Sequence, residues 1–252
     1  MTDLRPWAAD TPVRKNLPLI FQQKNYCDGT NPGHLDVRIT NLCDNACSFC
    51  IAAEGMQHAR KFNLEAMLES IKQVNPASVS IIGGEPLLFM KKLLDFMDRV
   101  KTEVPSVQHF YITTALPRTV MLQRDLFKKV FDATEVLNIS LQHYKDEDNS
   151  RLMNAKQEWP RMKWLEEFLS IPGATEKVRV HLNLVRGGID SPEAVAIALG
   201  TLREAGVKHV KLNELMNAPD EYVSFEDITG DVLPSPYSYG CSTKLDYLPG
   251  LE

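Results

Sequence analysis

Residues 41–54 read NLCDNACSFCIAAE and place three cysteines, Cys43, Cys47 and Cys50, in the spacing Cys-x3-Cys-x2-Cys. The stretch directly follows an alternating, strand-like run at 34–40. Three thiolates on one short loop can bind three irons of a [4Fe–4S] cluster, because soft sulfur ligands suit such clusters. The fourth iron then has no ligand from this loop, so a small molecule can bind it and receive an electron.

Two other interpretations of the cysteines stay open. They could belong to a zinc site, although zinc sites usually pair Cys-x2-Cys units or add histidines, and no such partner stands nearby in the sequence. They could also be incidental buried cysteines. The first residues, MTDLRP, are not typical of a secretion signal, so the five cysteines are interpreted as metal ligands in a reducing cytoplasm rather than as a disulfide framework.

Length and composition indicate an ordinary globular protein. The 252 residues are enough for one domain of the α/β-barrel type with a large core. The hydrophobic fraction of 44% and the charged fraction of 24% are typical of soluble proteins. The net charge of −5 argues against an extended nucleic-acid surface, and no apolar run is long enough to span a membrane. We therefore expect a cytoplasmic protein.

Alternating strand and helix patterns divide the chain into an irregular lead-in at 1–33, a core at 34–216 and a tail at 217–252. Strands are predicted at 34–40, 78–82, 107–113, 136–142, 178–185 and 207–213. Helices are predicted at 64–74, 89–100, 119–131, 159–169 and 192–205. Six strand–helix alternations predict parallel strands joined by crossovers. A partial (β/α)6 barrel and an open doubly wound sheet both fit, and the cysteine loop favours the partial barrel.

The predicted strands alternate apolar residues with polar ones. In a barrel, alternate strand residues point inward, and chemistry gathers at the carboxyl ends of the strands. The polar residues expected to point inward are Arg38, Thr40, Tyr111, Thr113, Asn138, Ser140, Gln142, His181, Asn183, Lys211 and Asn213. Because buried polar groups need partners, this set predicts a wet, ligand-filled lumen. An alternation shifted by one residue would turn the same side chains outward.

A second motif, Gly83-Gly84-Glu85-Pro86, follows the strand predicted at 78–82. Two glycines at a strand end allow close approach of the backbone to a ligand, or a positive φ. Glu85 then offers a carboxylate at the predicted barrel mouth, and Pro86 stiffens the exit. Placed one strand–helix unit after Cys-x3-Cys-x2-Cys, the motif resembles that of the radical S-adenosylmethionine (SAM) superfamily. The resemblance extends over residues 35–215.

The resemblance implies that Cys43, Cys47 and Cys50 hold a [4Fe–4S] cluster and that SAM chelates its open iron. It implies that the Gly-Gly-Glu-Pro motif holds the amino group of SAM. One electron then cleaves SAM to methionine and a 5′-deoxyadenosyl radical, which abstracts hydrogen from a substrate. Further cofactor contacts implied by the resemblance are Phe49, near the adenine, and Thr113, Thr114, Ser140 and Gln142. For Thr114 and Ser140, a plain strand-end hydroxyl is the alternative.

Two later stretches, VHLNLVRG at 180–187 and KLNELM at 211–216, are similar to parts of the GTP-cyclising enzymes of molybdopterin biosynthesis and their relatives. Asn183 and Arg186 are therefore candidates for contact with SAM or substrate. Those enzymes carry further C-terminal cysteines for a second cluster, whereas this sequence has Cys241 alone after the sixth predicted strand. The difference disfavours GTP cyclisation, and it disfavours peptide-modifying relatives with cysteine-rich extensions.

The tail contains LPSPYSYGC at 233–241 and is expected to cover the barrel mouth. Tyr239 and Cys241 are catalytic candidates, because a thiol there could donate a hydrogen atom to a product radical. A packed tail with an ordinary thiol is the alternative. Lys211 is a further catalytic candidate on the substrate side, as are His143 and Tyr144. An extension beyond residue 252 could hold additional ligands.

Together these observations predict a cytoplasmic, oxygen-sensitive radical SAM enzyme that acts on a small-molecule or nucleotide substrate. Its electron would come from a reductant such as flavodoxin or ferredoxin. One alternative is a peptide-modifying enzyme of the same superfamily, and another is an electron-transfer protein that holds [4Fe–4S] without cleaving SAM. The Gly-Gly-Glu-Pro motif favours the enzyme, because an electron carrier has no use for a carboxylate that binds methionine.

Overall fold

One seven-stranded sheet forms the centre of the protein. The computed structural model describes residues 20–23, 33–50, 63–215, 220–229, 238–239 and 242–243. The strands of the sheet are β1 (Ile20–Gln23), β2 (His34–Arg38), β3 (Ser78–Ile82), β4 (His109–Thr114), β5 (Val136–Leu141), β6 (Val178–Leu184) and β7 (His209–Glu214). They lie side by side in chain order, and β1 is antiparallel to β2 whereas all later pairs are parallel. Strands β2–β7 thus form six parallel strands of an open sheet. The prediction of six parallel strands in a partial barrel is confirmed.

Helices connect the parallel strands. They are α1 (Leu64–Val74), α2 (Met90–Glu103), α3 (Thr119–Leu122), α4 (Arg124–Asp132), α5 (Asp146–Leu152), α6 (Arg161–Leu169), α7 (Ala174–Lys177), α8 (Pro192–Glu204) and α9 (Phe225–Thr229), with a 3-10 turn at Pro86–Phe89. A separate ribbon pairs β8 (Ser238–Tyr239) with β9 (Ser242–Thr243). Within these described elements, no helix is long and apolar enough to cross a bilayer.

Local capping explains where the predicted helices begin and end. The Asn63 side chain accepts a hydrogen bond from the Ala66 N–H (3.2 Å) and so satisfies a free donor at the start of α1. Asn75 ends the same helix in the left-handed region, with φ 50°, and its N–H donates to the Ile71 carbonyl. Ser191 caps α8 through the Ala194 N–H (3.1 Å).

The strand alternation places the core on one face of the sheet. The core face of β4, β5 and β6 carries side chains that are at most 1% exposed: Phe110, Ile112, Leu137, Ile139, Leu141, Val180, Leu182 and Leu184. The alternating polar residues of these strands, such as Tyr111, Asn138 and His181, keep partial exposure on the opposite face. We call this opposite face of β2–β7 the polar face. Its observed phase excludes the alternation shifted by one residue.

Several elements differ from the sequence prediction. The lead-in was predicted to be irregular, but β1 lies within it and is held by antiparallel pairing to β2. The helix predicted at 119–131 is broken into α3 and α4 at Gln123, whose φ of −127° is not helical. The long connection after β5 contains the unpredicted helix α5. The predicted barrel-covering tail lies mostly outside the described residues.

Candidate active site

The cysteine loop follows β2 and is anchored to the chain segment after α5. The Ala46 N–H donates to the Met153 carbonyl (3.0 Å), and the Lys156 N–H donates to the Asp44 carbonyl (3.0 Å). The Cys47 thiol also points to the Met153 carbonyl, at 3.5 Å. These contacts join residues about a hundred positions apart in sequence. The loop conformation therefore depends on the unpredicted helix α5 and the turn that follows it.

The three cysteines are partly exposed, and they lie close enough together for their charges to interact. Burial raises the pKa of Cys43 to about 11 and that of Cys47 to about 12. A negative charge on Cys50 raises both pKa values further, because neighbouring thiolates repel each other. A bound metal cation reverses this penalty by stabilising the thiolates. The donor set therefore fits a soft metal centre.

Two further observations concern what the loop could bind. Among the described residues, no three His, Cys, Asp or Glu side chains are arranged around one ion position. A cluster does not require such an arrangement, because its thiolates bind different irons. The buried side-chain oxygens Asp44 Oδ1 and Asn45 Oδ1 find no hydrogen-bond partner within the described part of the chain. A ligand with N–H donors beside the loop would satisfy them.

The glycine motif packs directly on the backbone that leads into Cys43. The Gly84 N–H donates to the Thr40 carbonyl, and the Glu85 N–H donates to the Leu42 carbonyl, both at 2.7 Å. A Cβ at Gly83, whose φ is +140°, would collide with the Thr40 carbonyl oxygen. A Cβ at Gly84 would collide with the Leu42 carbonyl group. The glycines are thus required for the close contact between the two motif loops.

Glu85 ties the ends of β3 and β4 together. Its carboxylate accepts hydrogen bonds from the Leu87 N–H (3.0 Å), the Thr114 hydroxyl (2.7 Å) and the Ala115 N–H (2.7 Å). The residue is 1% exposed, and burial raises the pKa of its carboxyl to about 7 against the opposing effect of these three donors. Pro86 is buried at the start of the following 3-10 turn. The carboxylate therefore has a structural role that the sequence did not indicate.

The hydroxyl candidates at the strand ends differ in position. Thr114 is buried, and its hydroxyl accepts from the Leu116 N–H (3.0 Å) while it donates to Glu85. This geometry matches the alternative in which Thr114 is a plain hydroxyl at the end of a strand. Thr113 lies on the polar face within 3.5 Å of Asn138 Nδ2. Ser140 is also on the polar face and is partly exposed.

An amide chain crosses the polar face at the strand ends. The Asn213 side chain donates to Asn183 Oδ1 (3.3 Å), and Asn183 Nδ2 donates to Gln142 Oε1 (3.0 Å). Gln142 is 2% exposed, and its N–H donates to Asn149 Oδ1 (2.7 Å). The chain thus links β7, β6 and the end of β5 to α5. It orients three of the predicted inward residues.

The other predicted residues are scattered around the site. Phe49 is buried against Val185 and Leu215, beside Cys47. Arg186 is exposed and donates to the Tyr222 carbonyl (3.2 Å), so its side chain holds the segment 220–229. Lys211 is exposed on the polar face, and His143 stacks on Tyr144 at a ring distance of 4.3 Å. Cys241, Cys27 and the side chain of Tyr239 lie outside the described residues.

Arg161 is the residue that sequence reasoning missed. It is 1% exposed, its Nε donates to the Ala115 carbonyl (3.2 Å), and its Nη1 donates to the Ser150 hydroxyl (3.2 Å). Burial lowers the pKa of its guanidinium, whereas the charges of Asp44, Glu85 and Cys47 among others raise it. A buried cation therefore lies under both motif loops. One feature of the sequence could have indicated Arg161. It is a basic residue in the first turn of a predicted helix, where the helix dipole disfavours a positive charge.

Comparison with known proteins agrees with this geometry. The Radical SAM superfamily model matches residues 37–228. GTP 3',8-cyclase from Clostridium botulinum (strain Okra / Type B1) is 22% identical over 219 residues, which cover 82% of this chain and 66% of that protein. The structure of polyhistidine-tagged anSMEcpe with bound AdoMet superposes with a TM-score of 0.53 at 11% identity, over 71% of this chain and 50% of that one.

A second structural relative is native anSMEcpe with bound AdoMet and the Cp18Cys peptide, with a TM-score of 0.51 at 12% identity over 73% of this chain and 51% of that one. At these identities the structural likeness shows the fold alone. The protein belongs to the Radical SAM superfamily, because the family model covers most of the chain. It spans about half the length of these structural relatives and 66% of the curated one.

Proposed function

We propose that the protein is a radical SAM enzyme in which Cys43, Cys47 and Cys50 hold a [4Fe–4S] cluster. When bound, the cluster and SAM supply reductive cleavage to a 5′-deoxyadenosyl radical, which abstracts hydrogen from a small-molecule or nucleotide substrate. The observation that carries the proposal is the pair of 2.7 Å backbone hydrogen bonds between the two motif loops. They hold the proposed SAM-binding motif against the proposed cluster loop.

The residues around the loops have separate tasks in this proposal. The Gly-Gly-Glu-Pro loop presents backbone polar groups beside the cysteine loop, and Glu85 keeps that loop attached to β4. Arg161 places a positive charge under the loops, which favours an anionic group such as the carboxylate of SAM. Phe49 and its apolar neighbours exclude water beside Cys47. The amide chain on the polar face orients hydrogen-bonding groups toward a substrate.

The reaction needs an external electron, and we propose a flavodoxin or ferredoxin as its source. The enzyme would work in the cytoplasm and be sensitive to oxygen. Tyr239, Cys241 and Lys211 are kept as candidates for hydrogen-atom or proton transfer to the product. Membership in a superfamily whose relatives here are enzymes supports catalysis over mere electron transfer.

Anaerobic reconstitution followed by dithionite and SAM tests the proposal. We expect about four irons per chain, a brown protein and release of 5′-deoxyadenosine. A reduced cluster that leaves SAM intact, with or without candidate substrates, would indicate an electron carrier. A colourless protein that holds zinc and no iron would contradict the proposal altogether.

Variants of the cysteine loop supply the matched control. Cys47→Ala should lose the cluster, because only two thiolates then remain on the loop. Ser48→Ala changes an exposed neighbour in the same loop and should retain full iron content. Iron analysis and the visible absorption of the reconstituted proteins provide the measurement. Equal iron content in the two variants would show that Cys47 is not a ligand.

A further inference from the structure

The polar face carries positive charge in a chain that is negative as a whole. Strand register assigns its members, because paired residues of neighbouring parallel strands share a face. The charged strand residues on this face are Asp36, Arg38, Arg179 and Lys211. Three cations and one anion give the face a charge of about +2, whereas the chain carries −5. Such a local reversal favours anions at this face.

Arg179 and Lys211 lie close together on adjacent strands. Arg179 of β6 pairs with His209 of β7, which lies two residues before Lys211, and His181 of β6 pairs with Lys211. Both cations are exposed, and within the described residues neither forms an ion pair with a carboxylate. The carboxylate of the face, Asp36, lies instead 3.4 Å from His34 Nε2. No carboxylate of the described residues therefore neutralises either cation.

His181 neighbours both cations, because it lies two residues after Arg179 on β6 and pairs with Lys211 of β7. Burial lowers the pKa of His181 to about 4, and the charges of Lys211 and Arg179 add to the shift. The imidazole is therefore neutral near pH 7 and can still donate one N–H. The neighbouring surface offers an ammonium, a guanidinium and an imidazole N–H to one ligand. Guanidinium and ammonium groups on neighbouring strands suit phosphate and carboxylate oxygens.

We infer that the substrate carries an anionic group, a phosphate or a carboxylate, which Arg179 and Lys211 bind on the polar face. The inference rests on the proposed function, since it assigns the polar face to the substrate. The two cations lie on β6 and β7, so their position does not depend on what the cysteine loop binds. A neutral substrate would leave both charges without a partner on a face already depleted of carboxylates.

Isothermal titration calorimetry with two probes tests the inference. The anaerobically reconstituted full chain is titrated with inorganic pyrophosphate and, separately, with succinate. Arg179→Gln and Lys211→Gln should each raise the Kd of the better-bound probe about tenfold, the effect expected for loss of one charge-assisted hydrogen bond. Lys91→Gln removes the same charge from the exposed side of α2 and should change Kd less than about twofold. The tighter probe distinguishes phosphate from carboxylate recognition.

Two outcomes would overturn the inference: neither probe binds, or all three variants have the wild-type Kd. Release of 5′-deoxyadenosine without substrate separates this failure from failure of the proposed function. The Arg179 and Lys211 variants should retain the wild-type iron content, because neither change removes a cysteine of the loop. If the wild type cleaves SAM but binds neither probe, the anionic substrate is excluded and the radical chemistry stands. If the probes bind as expected but SAM stays intact, the anion-binding site is supported and the proposed radical chemistry is not.

Discussion

Glu85 combines a structural role with its proposed role in cofactor binding. Three protein donors occupy its carboxylate, and the side chain is 1% exposed. A carboxylate has about four lone-pair sites, so roughly one stays free for a ligand. The sequence motif therefore draws attention to Glu85, but it does not reveal the three protein groups that donate hydrogen bonds to the carboxylate. Any variant of Glu85 perturbs the fold as well as SAM binding.

Glu85→Ala should lower the free energy of unfolding by about 3 kcal/mol or more, because it leaves three buried donors without an acceptor. Glu85→Gln retains one carbonyl oxygen and should lose roughly half as much. Urea unfolding followed by circular dichroism measures both. Glu166→Ala, an exposed change on α6, is the control and should stay within about 0.5 kcal/mol of wild type. Wild-type stability of Glu85→Ala would contradict the observed hydrogen bonds.

Cofactor affinity should respond separately from stability in these variants. We expect Glu85→Gln to retain iron, since no cysteine is altered, and to bind SAM more weakly because the negative charge is lost. Equilibrium dialysis of the reconstituted protein against SAM measures this. An unchanged SAM affinity in Glu85→Gln would leave Glu85 with its structural role alone.

The two motif loops form one element in three dimensions, although about forty residues separate them. Close packing at Gly83 and Gly84 allows the hydrogen bonds from Gly84 and Glu85 to reach the backbone before Cys43. Side chains at these positions would push the loops apart. The glycines thus position the cysteine loop, in addition to any contact that they make with a ligand.

Gly84→Ala should therefore destabilise the protein by about 3 kcal/mol and reduce the iron content after reconstitution, because its Cβ overlaps the Leu42 carbonyl. Gly200→Ala is the matched control. Gly200 lies inside α8 with nothing within 4 Å of its Cβ position, so alanine there should raise stability by about 0.5–1 kcal/mol. Urea unfolding and iron analysis of both variants provide the comparison. Equal behaviour of the two variants would refute the packing argument.

The burial of His181 should appear in the pH dependence of the free energy of unfolding. The pKa of His181 is about 4 in the folded protein, below the ordinary value of about 6.5. Between these values the unfolded chain binds a proton that the folded chain does not, so acid favours unfolding. This contribution to stability is fully present above pH 6.5 and is lost as the pH falls through about 4.

His181→Gln should remove that part of the pH dependence. Urea unfolding at about pH 7 and at about pH 5 measures it, and the wild type should lose more stability between these two values than the variant does. Gln157→Ala, an exposed change that involves no titrating group, is the control and should follow the wild-type curve. Parallel pH curves for the wild type and His181→Gln would contradict the assigned burial of the imidazole.

Much of the architecture was predictable because its signals are local. The alternation of apolar and polar residues predicted which face of β4, β5 and β6 is buried, and the helices predicted at 64–74 and 192–205 begin where Asn63 and Ser191 cap them. The strand β1 and the helix α5 were not predicted. The pairing of β1 comes from its neighbour β2, and α5 lacks the apolar periodicity of a packed helix. Local pattern cannot reveal elements that depend on distant partners.

By itself, the sequence determined the superfamily, the six parallel strands and the loop that carries the three cysteines, since each depends on residue types at short, fixed spacings. Only the tertiary structure decided that Met153 anchors Cys47, that Arg161 lies buried under both loops, and that the carboxylate of Glu85 binds the end of β4. These features join residues 30 to 106 positions apart. Contacts of that kind arise from how the sheet and its helices pack, and no short stretch of sequence encodes them.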